Sequence, residues 1–554
     1  MSVTLTRKSN KVQLNGTSFD DRHKTGGIVG GTWNKRDRCW EYPATATVVA
    51  QVLSQFRDAT VDDECRELMN EWRSLMLYRG YLTGDMDPPS SIEHAKLAPW
   101  EHQRRAIAFA SEVKSTYMAL DMGCGKTAVA IHTANRTESR RVLIVCPNTV
   151  VDVWPSEFEK HSEIPWHVEA LGPRIKGGTK KKLEIAKNAI RAPRCALVIN
   201  HESVWRNSLG EWILKQDWDL IVVDEAHRAK SPGGKLSRYL ARLGRKAERR
   251  MALSGTPLPH SPLDAYGQFR FLDPGIFGTS FARFRAKYAL MGGFQNYQVV
   301  GWQNEEEFRK RYEFLTYTVA SEDVQDLPET QHITIPVYLS SREMKHYRQL
   351  HSDFVTQVKG GTVTVQNALT KLLRLSQIVS GVVGDDDGNL QQVGDSKERA
   401  LLDLLEDMPR SEPIVIFTRF TADIEAVRRT SEKLGRSVFE ITGRLKQLDE
   451  WKRDCGNVAD RGEHGYMGKG PILAVNIQSG GVGIDLTNAR YCVYYSLGYN
   501  LGDYTQSLKR THRPGQERDV LYYHLIGQGT VDEEIMAALE QKKNVIEMMI
   551  GARR

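Results

Sequence analysis

Met122-Gly123-Cys124-Gly125-Lys126-Thr127 follows a short apolar run and opens a helix, Ala128-Val129-Ala130-Ile131. Apolar run, glycine-rich turn and helix is the setting in which such a turn holds phosphate. Glycines let backbone N–H groups approach the phosphate oxygens closely. The Lys126 ammonium neutralises their charge, and the Thr127 hydroxyl suits Mg²⁺. The expected nucleotide is ATP, lying against Met122, Gly123, Cys124, Gly125, Lys126 and Thr127. The usual first glycine of the pattern is missing, with Leu120 in its place. A lone Gly-x-Gly-Lys-Thr turn also arises by chance, so its surroundings must decide.

Those surroundings alternate apolar runs with helical stretches. Val142-Leu143-Ile144-Val145, Ala196-Leu197-Val198-Ile199, Leu220-Ile221-Val222-Val223 and Met251-Ala252-Leu253 lack polar alternation. Such runs suit strands buried on both faces of a parallel sheet. The pattern returns at Ile414-Val415-Ile416-Phe417, Ile472-Leu473-Ala474-Val475, Tyr491-Cys492-Val493-Tyr494-Tyr495 and Val520-Leu521-Tyr522-Tyr523. The fold class is therefore α/β, with two parallel-sheet domains flanking a mainly helical middle. The expected divisions are 1–60, a small module; 61–95, a helical linker; 96–262, the first lobe; 263–395, the middle; and 396–554, the second lobe.

Two further elements bear on the chemistry. Asp224-Glu225-Ala226-His227 follows a strand of apolar residues. Asp224 would hold Mg²⁺, and Glu225 would orient and deprotonate the attacking water. The plain alternative is a solvated acidic strand end, but open α/β sheets bind ligands at that edge. Far downstream, Gln506 to Gln516 includes Arg510 and Arg513. Three apart on a helix, these arginines share a face and suit arginine fingers. A surface basic helix is the plain alternative.

Bulk properties narrow the class without naming it. The chain has 554 residues and a formal charge of +7, weak grounds by itself for a polyanion partner. It has no apolar run of about 18 residues and no apolar stretch of signal-peptide length at its start. Its seven cysteines are scattered without Cys-x-x-Cys spacing. That argues against a zinc site or disulfide framework and fits reduced thiols in the cytoplasm.

Taken in order, these motifs resemble superfamily 2 helicase-like motors, and within them Swi/Snf-type ATPases with two RecA-like domains. The likeness runs from about Leu97 to Lys543. Pro99-Trp100-Glu101-His102-Gln103 resembles the entry motif, which implies that Gln103 reads adenine. The resemblance implies coupling of hydrolysis to domain movement through His227, Ser254-Gly255-Thr256-Pro257, Gln506 and Gln516. It implies DNA backbone contacts at Pro147, Asn148 and Thr149, at Asn200 and His201 (the family often has Tyr at the latter), at Thr418 and Arg419, and at Gln478 and Ser479. Ser479-Gly480-Gly481-Val482-Gly483-Ile484-Asp485-Leu486 resembles motif V, which brings Gly483 and Asp485 to the nucleotide. Asn is common where Asp485 stands, so that residue either meets ribose or only packs. Pro262-Leu263-Asp264-Ala265-Tyr266 and Phe271-Leu272-Asp273-Pro274 resemble the start of helical protrusions. Leu327-Pro328 and Ile333 to Leu339 resemble a bridge to the second lobe, and Thr530 to Ile535 the opening of a C-terminal brace helix.

The first 60 residues carry a narrower likeness. Gly31-Thr32-Trp33 and Arg38-Cys39-Trp40-Glu41-Tyr42-Pro43 resemble the accessory domain of annealing helicases, which implies recognition of branched or forked DNA. Two short strands joined by Asn34 to Arg38 and followed by a helix are expected. Lys35, Arg36 and Arg38 at the turn would contact phosphates. The plain alternative is a mini-core of Trp33 and Trp40 against Phe56, and both can hold together.

The expected activity is DNA-dependent ATP hydrolysis driving translocation on duplex or branched DNA, by a monomer in a bacterial or viral-host cytoplasm. Three alternatives stay open. One is a strand-separating helicase using the insertion Asp460 to Met467 as a wedge. Another is a DNA-binding scaffold with a dead ATP site. The third is a motor subunit that feeds a nuclease partner.

Overall fold

A computed structural model describes residues 3–293, 298–324, 326–359, 365–384, 390–463, 469–478 and 484–550. Ser479 to Gly483 and His464 to Met467 lie outside the described residues. The chain divides into two compact units, Met1–Val324 with Val545–Arg554, and Gln325–Asn544.

The first unit is organised by a seven-stranded sheet. Across it run Thr316–Val319, Ser115–Leu120, Ala247–Leu253, Trp218–Asp224, Arg141–Cys146, Cys195–Asn200 and His167–Leu171. Every pairing is parallel. Leu143, Val145, Leu197, Ile199 and Ile221 are wholly buried, as expected of strands covered on both faces. Each such aliphatic side chain contributes about 1.5–3 kcal/mol by leaving water. Helices Glu101–Glu112 and Lys126–Arg136 supply part of that cover.

The second unit repeats the plan with six parallel strands. Their order is Thr330–Val337, Val520–Gly527, Tyr491–Tyr494, Ile414–Thr418, Ile472–Asn476 and Val438–Ile441. The two RecA-like sheets read from the sequence are thus both present. Among the described residues no helix is long and apolar enough to cross a membrane.

The middle segment is mainly helical, as read, but it also lends a strand to each sheet. Thr316–Val319 completes the first sheet. Thr330–Val337, which contains most of the stretch read as a bridge, is the edge strand of the second. Only the far ends of these pieces meet the apolar signature, because an edge strand has a face in water and needs no continuous apolar run.

The N-terminal module is larger than a hairpin and a helix. Thr32–Asn34 and Cys39–Pro43 form the expected pair, but Thr4–Lys8, Lys11–Asn15 and Thr60–Val61 extend it to a five-stranded sheet. Helix Ala46–Gln55 closes its core with Val48, Val49, Val52 and Phe56. Trp40 packs on this core, whereas Trp33 is 46% exposed and meets Trp40 edge-on at 5.6 Å. Only one tryptophan therefore serves the expected mini-core. The module is fastened to the first unit where Thr47 Oγ1 donates to buried Asp273 Oδ2 at 2.7 Å, and Arg283 Nη1 to the Gly31 carbonyl at 3.1 Å. Between module and sheet lies a cavity of about 1110 Å³. It lies at the amino edge of the strands, away from the phosphate loop, and its walls pair Lys11 with Glu41 and Lys114 with Glu71.

Candidate nucleotide site

Strand Ser115–Leu120 ends at the carboxyl edge of the first sheet, and helix Lys126–Arg136 leaves from it. The turn between needs glycine twice. Gly123 and Gly125 have φ of 86° and 82°, and a Cβ on Gly125 would come within 2.2 Å of Gln103 Nε2. Gln103 Nε2 donates to the Cys124 carbonyl at 3.2 Å, and His102 Nε2 bonds the same oxygen at 3.0 Å. The turn is thus held from outside by two neighbouring side chains. The sequence reading singled out Gln103 and missed His102, whose only signal is adjacency. Lys126 Nζ donates to the carbonyls of Leu120, at 2.9 Å, and Asp121, at 3.1 Å. Its ammonium rests on the loop's own oxygens. Met122 and Thr127 are half-buried beside it.

The acidic pair stands at the same edge, at the end of Trp218–Asp224. Glu225 sits at φ 48°, a left-handed backbone uncommon for a side chain of its size and frequent at functional sites. His227 Nδ1 lies 3.1 Å from Glu225 Oε2 and 3.0 Å from Ser254 Oγ. Ser254 Oγ in turn accepts the Thr256 N–H at 3.1 Å. Glu225 is therefore joined through His227 to Ser254-Gly255-Thr256, and Gly255 lies against Lys126 and the Met122 amide. Burial and the adjacent Glu225 charge raise the Asp224 carboxyl, with Lys126 opposing. Burial acts to raise Glu225 as well, but the His227 bond and the charges of His227 and Lys126 outweigh it and hold it down. A dication at Asp224 would relieve the first shift, so the donor set fits Mg²⁺.

Two expected nucleic-acid contacts at this edge are corrected. His201 is 2% exposed, and its Nε2 bonds the Asp224 carbonyl at 2.9 Å. Burial depresses it to about 4, so the imidazole is neutral and Nε2 carries the proton. Asn200 is also buried and donates to Glu202 at 2.8 Å. His201 braces the acidic pair's strand end and Asn200 its own loop, and neither faces outward. Pro147 is buried too, while Asn148 and Thr149 are exposed after Arg141–Cys146.

In the second unit, Thr418 is wholly buried and donates to the Val475 carbonyl at 3.4 Å, which removes it as a surface contact. Arg419 is half-buried, with its N–H on Ser496 Oγ at 2.8 Å, and Gln478 is exposed. Asp485 accepts from Thr487 N at 3.1 Å and Oγ1 at 2.9 Å, and meets Lys452 at 3.3 Å. It packs as a local turn. Helix Leu501–Thr511 ends before Arg513, so the two arginines do not share a helical face. Arg510 is buried in the last turn; Arg513 lies beyond it and donates to the Ile484 carbonyl at 3.4 Å. Gln516 donates to the carbonyls of Thr487, at 3.1 Å, and Ala489, at 3.0 Å, and Gln506 is half-buried. Ser479 and Gly483 lie outside the described residues. In the N-terminal module, Lys35, Arg36 and Arg38 are exposed on a turn that Asn34 Oδ1 closes by accepting the Arg36 and Asp37 N–H groups.

A parallel sheet with a lysine-bearing glycine loop and an acidic pair at one edge defines an ATP-binding α/β domain. Comparison with known proteins makes this specific. The SNF2-related domain matches residues 93–381, and the helicase conserved C-terminal domain matches 396–515. The chain belongs to the SNF2-related family of helicase-like, ATP-hydrolysing enzymes.

It is 24% identical to protein p41 of Acyrthosiphon pisum secondary endosymbiont phage 1, over 82% of this chain and 98% of that one. An uncharacterized ATP-dependent helicase of Mycoplasma genitalium is 23% identical over 77% of this chain and 40% of its own length. The Saccharomyces cerevisiae DNA repair and recombination protein RDH54 is 23% identical, over 80% and 52%. This chain thus spans about half, or less, of the yeast and mycoplasma relatives. The Sulfolobus solfataricus SWI2/SNF2 ATPase core in complex with dsDNA is 22% identical with a TM-score of 0.39, covering 83% of this chain and 95% of that one.

Proposed function

We propose that this protein is a DNA-dependent ATPase that translocates on double-stranded or branched DNA and remodels or anneals DNA structures. The observation that carries the reading is the unbroken chain of contacts from Glu225 through His227 to Ser254 and the Thr256 N–H. It joins the group that activates water to a segment that can move with the nucleotide's state. A scaffold with a dead site has no need of it. The yeast relative's DNA repair and recombination role supports DNA as the track.

In this reading, Lys126 leaves the Leu120 and Asp121 carbonyls to neutralise the β- and γ-phosphates. Thr127 and Asp224 would hold Mg²⁺, which would supply charge neutralisation at the phosphates. Glu225 orients the water and accepts its proton, while Arg510 and Arg513 stabilise charge on the transferring phosphoryl group. Asn148, Thr149, Arg419 and Gln478 touch the DNA backbone, which gives binding without sequence preference and a steep loss with salt. Exposed Trp33, Lys35, Arg36 and Arg38 make the N-terminal module the candidate reader of forks.

Steady-state ATP hydrolysis tests this without nucleic acid and with single-stranded, duplex and forked DNA and duplex RNA, with Lys126→Ala as control. Stimulation by duplex or fork supports the translocase, and single-strand stimulation alone indicates a strand-separating helicase. No hydrolysis under any condition removes the motor reading.

A further inference from the structure

The phosphate loop begins one residue before its first expected member, at Asp121, and this residue has two sets of partners. Its carbonyl accepts from Lys126 Nζ at 3.1 Å and from the Cys124 N–H at 3.2 Å. Its carboxylate is 3% exposed and accepts both the N–H and the hydroxyl of Ser321, each at 3.3 Å to Oδ2. Its own N–H donates to the Val319 carbonyl at 3.0 Å. Ser321 opens the short helix Ser321–Val324, and Val324 is where the first unit ends before the chain enters the second. The strand leading there, Thr316–Val319, is paired in register with the strand leading to the phosphate loop, Val319 opposite Leu120.

We infer that Asp121 and Ser321 form a latch that passes the nucleotide state of the phosphate loop to the chain leaving the first unit. This latch rests on the ATPase reading above. With two of its three N–H donors on the Leu120 and Asp121 carbonyls, the Lys126 ammonium must give up or share one of them to bridge a β- and a γ-phosphate. Nucleotide binding therefore changes the load on the Asp121 peptide. Its side chain is buried and bonded twice to Ser321, so the change reaches the exit segment with little slack. Asp121 and Ser321 are positioning residues: neither touches the nucleotide in this account. A carboxylate buried only to hold a turn would behave the same with and without nucleotide, and this is what separates the latch from ordinary packing.

The test is hydrogen exchange of the 319–324 amides in the full chain, with and without the Mg²⁺ complex of ATP carrying an imido β–γ bridge. Binding of that analogue is checked by calorimetry in every variant. In the wild type, the analogue is expected to change exchange in this segment by about fivefold or more. Asp121→Ala is expected to abolish the change with the analogue still bound. Ser321→Ala, the gentler variant, weakens it, and Ser321→Thr, which keeps the hydroxyl and N–H, restores it. Ser321→Ala should also keep basal ATPase while lowering stimulation by duplex DNA about fivefold. An undiminished change in Asp121→Ala, or none in the wild type with analogue bound, overturns the latch alone. Absence of a calorimetric signal in the wild type overturns the ATPase reading and the latch with it.

Discussion

Two strand-to-helix turns, one in each sheet, begin their helices in opposite ways. In the first, Ser115–Leu120 runs into a glycine turn and Lys126, whose ammonium donates to two backbone carbonyls. In the second, Ile414–Thr418 runs into Arg419 and Phe420, and the helix Thr421–Leu434 follows. There the N–H groups of Arg419 and Phe420 both donate to Asp423 Oδ2, at 3.3 and 2.9 Å, and Ser496 Oγ adds a third bond at 2.5 Å. The second turn carries its own carboxylate at the start of its helix, where the first carries glycine and the lysine. One helix start is thus left open to an anion, and the other is already satisfied from within the chain.

Substitutions put that contrast to the test. The largest effects belong to the first unit and the arginines offered from the second. Lys126→Ala and Glu225→Gln should each lower kcat by about 10³ or more, Glu225→Gln with nucleotide binding retained. Retained turnover in Glu225→Gln would remove its role with water. Arg510→Ala and Arg513→Ala should lower kcat by about 10³ as well, with analogue affinity little changed. Equal losses of affinity and kcat would mark them as structural. His227→Ala should cost about tenfold in kcat through a mispositioned Glu225.

Asp423→Ala should act on stability, by about 1–3 kcal/mol in denaturant unfolding, because it leaves buried donors unpaired. If it instead abolished nucleotide binding, the division of labour between the lobes would be wrong.

The mildest test is pH. His132 in the first unit and His524 in the second are both depressed to about 4, burial being the main cause. Unfolded histidine titrates near 6.5, so between pH 6.5 and 4 the unfolded chain binds more protons. Stability is intact above that window and falls as pH drops through it. A melting temperature unchanged from pH 7 to pH 5 would show that these rings are not the sensitive groups.

The nucleotide site was legible because its chemistry is local in sequence. Gly123, Gly125, Lys126 and Thr127 lie on one turn, and Asp224 and Glu225 are neighbours at the end of an unmistakable apolar run. The strands buried on both faces were legible for the same reason. Edge strands were not: Thr330–Val337 shows water most of one face, and Thr4–Lys8 alternates too briefly to stand out. His102 was invisible because its role depends on a carbonyl 22 residues away.

Local order was enough to bring Gly123, Gly125, Lys126 and Thr127 onto one turn, since a glycine turn, its lysine and the next hydroxyl need no distant partner to be placed. Which polar residues of the motifs face outward depends on the packing around them, not on local order. Asn200, His201 and Thr418 belong to motif positions expected to touch DNA, yet each is buried and bonded inward. At a strand end one residue of register separates solvent from core, and the direction of a side chain there depends on what the neighbouring strands supply as hydrogen-bond partners.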